Sequence, residues 1–241
     1  AIPMKKILSA ILALILVFAL SVCMAEEAAG EGTDLSNITI PDYSQYIDPV
    51  EKSDTQTKGS VTTDTVTING SQYRVVLPTG VTMTYTATDD AVCFTQDVLQ
   101  QSSLFSKWIR DPLATVSNWI DHQMHMNIYR PSTKVDIYIH VVDTSLSQIY
   151  PNSNSLSDEE ADYLFNYMMN TEGLFKGATS GTCGWLGGNV WFLADMRDYD
   201  GTVTLISFVG GKEIFCYATI GSDDQYADMI NLLDNLTIAV G

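Results

Sequence analysis

Cys183 is the residue whose type is best suited to covalent chemistry, and it stands in the uncharged small-residue stretch Thr179-Ser180-Gly181-Thr182-Cys183-Gly184-Trp185. A thiol attacks as its thiolate, so it needs a histidine to take its proton and a polar group to orient that base. His140 and His122 are the histidines considered for that role. A second candidate is Asp121-His122-Gln123-Met124-His125, whose histidines are spaced to share one helix face and grip a metal ion. The intervening glutamate of a zinc hydrolase is missing and no third ligand is indicated, so neither a metal nor any other cofactor is expected. The dipole at a helix C-terminus favours histidines there without any metal. Trp185 offers a third chemistry, because a tryptophan on a loop stacks on a sugar ring or anchors a partner. Trp185, Cys183 and Asn189 are the candidate ligand- or partner-binding residues, set against the plainer reading that Trp185 folds back over a sheet.

The surroundings of Cys183 resemble the Cys-Gly-x-Cys-Trp segment of papain-like nucleophiles and transglutaminase-like sites, although the second cysteine of that pattern is absent. Asp198-Tyr199-Asp200-Gly201 resembles the middle of a calcium loop, but Met196 and Ser207 replace its first and last ligands, which makes it a hairpin turn. There is no phosphate-cradling loop and no dinucleotide fingerprint.

Met4-Lys5-Lys6, the apolar run from Ile7 to Val22 and the exit Cys23-Met24-Ala25 have the three parts of a secretory signal. Residues 1–25 are read as that signal, with Ala1-Ile2-Pro3 as an N-terminal remnant and cleavage after Ala25. Leu20-Ser21-Val22-Cys23 also resembles a bacterial lipoprotein box, which would anchor the chain through Cys23, although Val22 replaces the usual small residue. Either way the protein works outside the cytoplasm.

The chain carries 12 basic against 29 acidic residues, a net charge of −17, and losing Lys5 and Lys6 deepens it to −19. Nucleic acid and anionic membrane bind basic surface, so neither is an expected partner once the signal is removed. The partner expected is an unknown protein or small-molecule ligand outside the cytoplasm. Cleavage also leaves Cys93, Cys183 and Cys216, enough for one disulfide at most, so a hydrophobic core must hold the fold.

Residues 26–58 are acidic, rich in Ser, Thr and Gly, and interrupted by Pro41 and Pro49, which reads as a flexible linker. Its one apolar patch, Ile38 to Ile47, is expected to dock on the domain. Residues 59–241 form a single globular domain. Strands are expected at 64–68 and 72–77 around Asn69-Gly70, then at 81–88, where Val81, Met83, Tyr85 and Ala87 alternate with threonines. Helices follow at 95–110 and after Asp111-Pro112, the latter burying Leu113, Val116, Ile120 and Met124. A strand at 134–142 places Val135, Ile137, Ile139 and Val141 opposite Asp136, Tyr138 and His140. Ser157 and Glu160 cap a helix over 158–170. Strands at 190–196, 202–209 and 213–220 turn at Asp200-Gly201 and Gly210-Gly211, and a last helix starts at Ser222 with Gln225 completing its cap. Gly177 to Asn189 reads as a long loop centred on Trp185. The whole is an α+β domain, a mostly antiparallel sheet with helices packed on it.

The early hairpin ending in Val76-Leu77-Pro78-Thr79-Gly80, the late strands through Phe208 and Phe215, and the helix from Ser222 to Leu236 resemble the PsbP-like superfamily, named for an extrinsic protein of photosystem II. The likeness covers most of 61–238 and implies a PsbP-like sandwich acting as a non-enzymatic binding or assembly domain. It supplies no functional residues. The alternative, from the thiol itself, is a cysteine-dependent hydrolase or transferase using Cys183 with a histidine.

Overall fold

A computed structural model describes residues 33–43, 72–101 and 112–241. The expected signal over 1–25, the strand at 64–68 with its Asn69-Gly70 turn, and most of the helix expected over 95–110 lie outside the described residues. In chain order the elements are β1 (Gln72–Val76), β2 (Val81–Thr86), β3 (Val92–Thr95), α1 (Gln96–Gln101), α2 (Pro112–Asp121), β4 (Met124–Arg130) and β5 (Val135–Val142). There follow α3 (Ser145–Ile149), a 3-10 turn at Ser153–Ser155, α4 (Asp158–Asn170), β6 (Ser180–Leu186), β7 (Asn189–Met196), β8 (Thr202–Val209), β9 (Lys212–Thr219), α5 (Asp223–Leu233) and β10 (Leu236–Val240).

The strands make two antiparallel sheets, one ordered β1-β2-β10 and a larger one ordered β3-β4-β5-β9-β8-β7-β6. In β2 the alternation predicted from sequence holds, with Val81, Met83 and Tyr85 buried and the threonines between them partly exposed. Strands β8 and β9 are buried at nearly every position because the large sheet is covered on both faces. On one face, α4 lies against β6 and α3 against β9. On the other, α5 is tied to β4 by Arg130 and Asp228, and β10 is tied to β7 through Asn189 and Ile238.

The helix α4 has the expected capping box: Ser157 Oγ accepts from the Glu160 amide at 3.2 Å and the Glu160 carboxylate accepts from the Ser157 amide at 2.9 Å. At α5 only half of the box forms. Ser222 Oγ accepts from the Gln225 amide, but the Gln225 side chain reaches past the cap to the Gly221 amide.

Several expectations need correction. In α2 the buried residues are Thr115, Val116 and Trp119, while Leu113 and Ile120 face outward and Met124 belongs to β4. The helix ends at Asp121, so His122 and His125 share no helix face. The loop expected over 177–189 is mostly strand, namely β6 and its turn into β7. Within the stretch read as a flexible linker with a docking patch, residues 33–43 pack on the domain from before that patch begins: Leu35 and Tyr43 are buried, and the hydroxyls of Tyr163 and Tyr167 on α4 donate to the carbonyls of Thr33 and Leu35. Burial of Leu35 and Tyr43, together with the two tyrosine hydrogen bonds, holds this part of the chain on the domain. Cys93, Cys183 and Cys216 are all free thiols.

Candidate functional site at the edge strand β6

In the large sheet β6 pairs with β7 on one side, and among the described residues no strand pairs with its other side. An edge strand turns the N–H and C=O groups of alternate residues outward, where they can pair with an added chain. The small residues of this stretch exist for close packing. A Cβ at Gly181 would lie 2.7 Å from the Leu193 carbonyl oxygen and 2.8 Å from Phe165 of α4, so only glycine lets the helix rest directly on the strand. At the turn, Gly187 has φ +58° and a Cβ there would fall 2.0 Å from the Leu236 carbonyl oxygen.

Residues 181, 183 and 185 share one face of β6, the face on which α4 lies. Phe165 and Met169 reach Gly181, whereas the charges of Asp162 and Asp158 act on Cys183, so the helix runs antiparallel along the strand with its acidic first turn nearer Trp185. That first turn carries Asp158, Glu159 and Glu160. Trp185 is 61% exposed and paired in register with Val190. The result is a strand edge that no described strand pairs, bearing an exposed indole and bordered by carboxylates.

Cys183 is half-buried on this strand. Burial pushes its thiol up to about 11, and the negative charges of Asp162 and Asp158 add to the rise. This is the opposite of what a nucleophile needs. His140 sits in the same cross-strand row, reached through Phe192, Ile206 and Phe215. Four strand spacings separate the two, roughly 19 Å, which is far beyond hydrogen-bond reach. The structure therefore does not bring Cys183 and His140 together.

The histidines gather elsewhere. His140 is fully buried on β5, its Nδ1 is 2.9 Å from the His122 carbonyl oxygen, and its ring stacks on Tyr217 at 5.9 Å. His125 occupies the irregularity between Met124 and Met126 where β4 slips against β5. Burial holds His125 and His140 each at about 4, so both are neutral at ordinary pH. Among the described residues no three His, Cys, Asp or Glu side chains are arranged to hold a metal.

Asn189 is only 2% exposed and is spent on the fold. Its Nδ2 donates to the Ile238 carbonyl at 3.1 Å and its Oδ1 accepts from the Ile238 amide at 3.2 Å, so one side chain satisfies the outer edge of β10. Trp185, Cys183 and Asn189 are thus near one another in sequence, but only the first two share the edge face. In the turn after β7, Asp200 Oδ1 accepts from the Thr202 amide and hydroxyl at 3.0 and 2.6 Å, consistent with a structural turn.

An open cleft of about 490 Å³ lies near the other end of β7, lined by Thr179, Asp195, Arg197, Asp198, Ile220 and Gly221. Its one cation is committed. Arg197 Nε and NH2 donate to Asp195 at 2.9 and 2.7 Å, NH1 donates to Asp223 at 2.8 Å, and the guanidinium covers the Tyr226 ring. Sequence reasoning passed over the acidic border of β6, because Asp158 and Asp162 read only as a well-started helix. It also passed over Glu213, whose signal was a lone carboxylate inside the apolar strand Glu213-Ile214-Phe215-Cys216-Tyr217.

No protein-family model matches the chain, and no curated protein matches its sequence.

Proposed function

We propose that the protein is an exported, non-enzymatic binding or assembly domain that takes up an extended, basic segment of a partner protein along β6. The observation that carries this reading is the conjunction at one place of a strand edge that no described strand pairs, the exposed Trp185 and the carboxylates of α4. Backbone pairing along an edge supplies affinity without side-chain chemistry, while flanking side chains select the sequence. Lysine or arginine at alternate positions of an added strand would face Asp158 and Asp162, and a second copy of so acidic a chain would be repelled. Export, with the partner met outside the cytoplasm, rests on the signal-like residues 4–25, and a binding role agrees with the resemblance to the PsbP-like superfamily. The raised thiol of Cys183 and its separation from His140 give the hydrolase alternative no support.

The test uses a synthetic peptide alternating lysine with valine and a counterpart alternating glutamate with valine. The lysine peptide should slow amide exchange in β6 and change tryptophan emission, and its affinity should fall with salt. Trp185→Ala and Asp162→Lys should each weaken it at least about ten-fold, the scale of a lost anchor or charge pair. Absence of β6 protection, or equal binding of the glutamate peptide, would overturn the reading.

A further inference from the structure

Residues 33–43 cross the α4 face of the large sheet, and Tyr43 meets a buried carboxyl group. Leu35 is 3% exposed, Ile40 packs where Gly173 leaves room, and the Tyr43 ring lies on Phe215 with centroids 4.7 Å apart. The Tyr43 hydroxyl donates to Glu213 Oε1. The other oxygen accepts from Thr144 Oγ1 at 2.8 Å, and that hydroxyl in turn accepts from the Ser147 amide at 3.0 Å as the cap of α3. Glu213 is 0% exposed and lies between Val142 on β5 and Phe208 on β8.

Among the described residues, the surroundings of Glu213 offer it hydroxyls and no unpaired cation. From the 33–43 segment come Tyr43 and its exposed neighbour Asp42; from α3 comes Thr144; at the β5–β9 end Lys212 is already paired with Asp143 at 2.5 Å. A carboxylate sealed among hydrocarbon with two neutral donors is costly, whereas its neutral form is easily kept there. Tyr43 brings its ring and one of the two hydroxyl donors to this carboxyl group, and both leave with the segment if it lifts.

We propose that residues 33–43 form a proton-gated strap, closed over β9 while Glu213 is protonated and released when Glu213 ionises. The direction of titration agrees: burial raises Glu213 from 4.5 to about 7, while the hydrogen bonds of Tyr43 and Thr144 only partly oppose the rise. Because the closed state binds the proton more tightly than an open, solvated carboxyl does, strap closure is fully favoured below pH 4.5 and weakens as pH rises through about 7.

The experiment is amide exchange of the full chain at pH 5.5 and 8.5, corrected for intrinsic rates and followed by peptide mass. Protection of residues 33–43 should fall at least about ten-fold at the higher pH while α4 and β8 keep theirs. Glu213→Gln, neutral at both pH values, should abolish the difference. Tyr43→Phe, which keeps the ring on Phe215 and removes a donor to the carboxylate, should make the fall steeper, and it decides the matter if Glu213→Gln does not fold. Protection that is independent of pH, a Tyr43→Phe profile equal to that of the unaltered chain, or loss of protection throughout the domain at the same pH would each overturn the proposal.

Discussion

Cys183 and His140 project from the same face of the large sheet and in the same cross-strand row, with β7, β8 and β9 between them. Their shared row makes them neighbours in the pattern of the sheet and strangers in chemistry. A sheet is rigid along its hydrogen-bonding direction, so no side-chain rotation closes a gap of about 19 Å.

The thiol should accordingly be sluggish. At pH 6, iodoacetamide should label Cys183 slowly, because burial and the carboxylates of Asp162 and Asp158 keep it protonated. His140→Ala and His122→Ala should leave that rate unchanged. Fast labelling at pH 6 that either substitution abolishes would restore the nucleophile reading.

Asn189→Ala should destabilise the domain without touching partner binding. It leaves the amide and carbonyl of Ile238 unpaired beneath the surface, at a cost of roughly 2–4 kcal/mol for two buried backbone groups. Urea unfolding gives the stability and peptide titration gives the affinity. A weakened peptide affinity in a fully folded variant would return Asn189 to the binding site.

The pH dependence of stability contains two opposed contributions. His125 and His140 are held at about 4 by burial, against 6.5 for the free side chain, so the stability they allow is complete above 6.5 and is lost as pH falls towards 4. Glu213 is raised from 4.5 to about 7, so its contribution is complete below 4.5 and is lost as pH rises through 7. The two offset each other between 4.5 and 6.5. Glu213→Gln should therefore steepen the acid loss below pH 6.5 and flatten the decline above it, as read from unfolding curves across pH. An unchanged profile would show that Glu213 titrates alike in the folded and unfolded chain.

Local signals carried far in this protein where the cause of structure was itself local. The capping box at Ser157, Pro112 at the start of α2, the alternation in β2 and the turns at Asp200-Gly201 and Gly210-Gly211 all stand where the residues placed them, since each depends on neighbours within four positions. The same reasoning failed at Gly177–Asn189. Glycine there reads as loop, yet its function is to admit α4 and the Leu236 carbonyl, which are distant in sequence.

By itself the sequence determined the α+β class, the order of most elements, the two faces of β5 and the net negative charge, because composition and hydrophobic period act residue by residue. Only the tertiary structure decided which strand is an edge, that Cys183 lies far from His140, that Asn189 closes β10, and that Tyr43 reaches Glu213 across 170 positions. These are relations between segments brought together by strand order, and strand order is set by how the whole core packs, which no window of neighbouring residues contains.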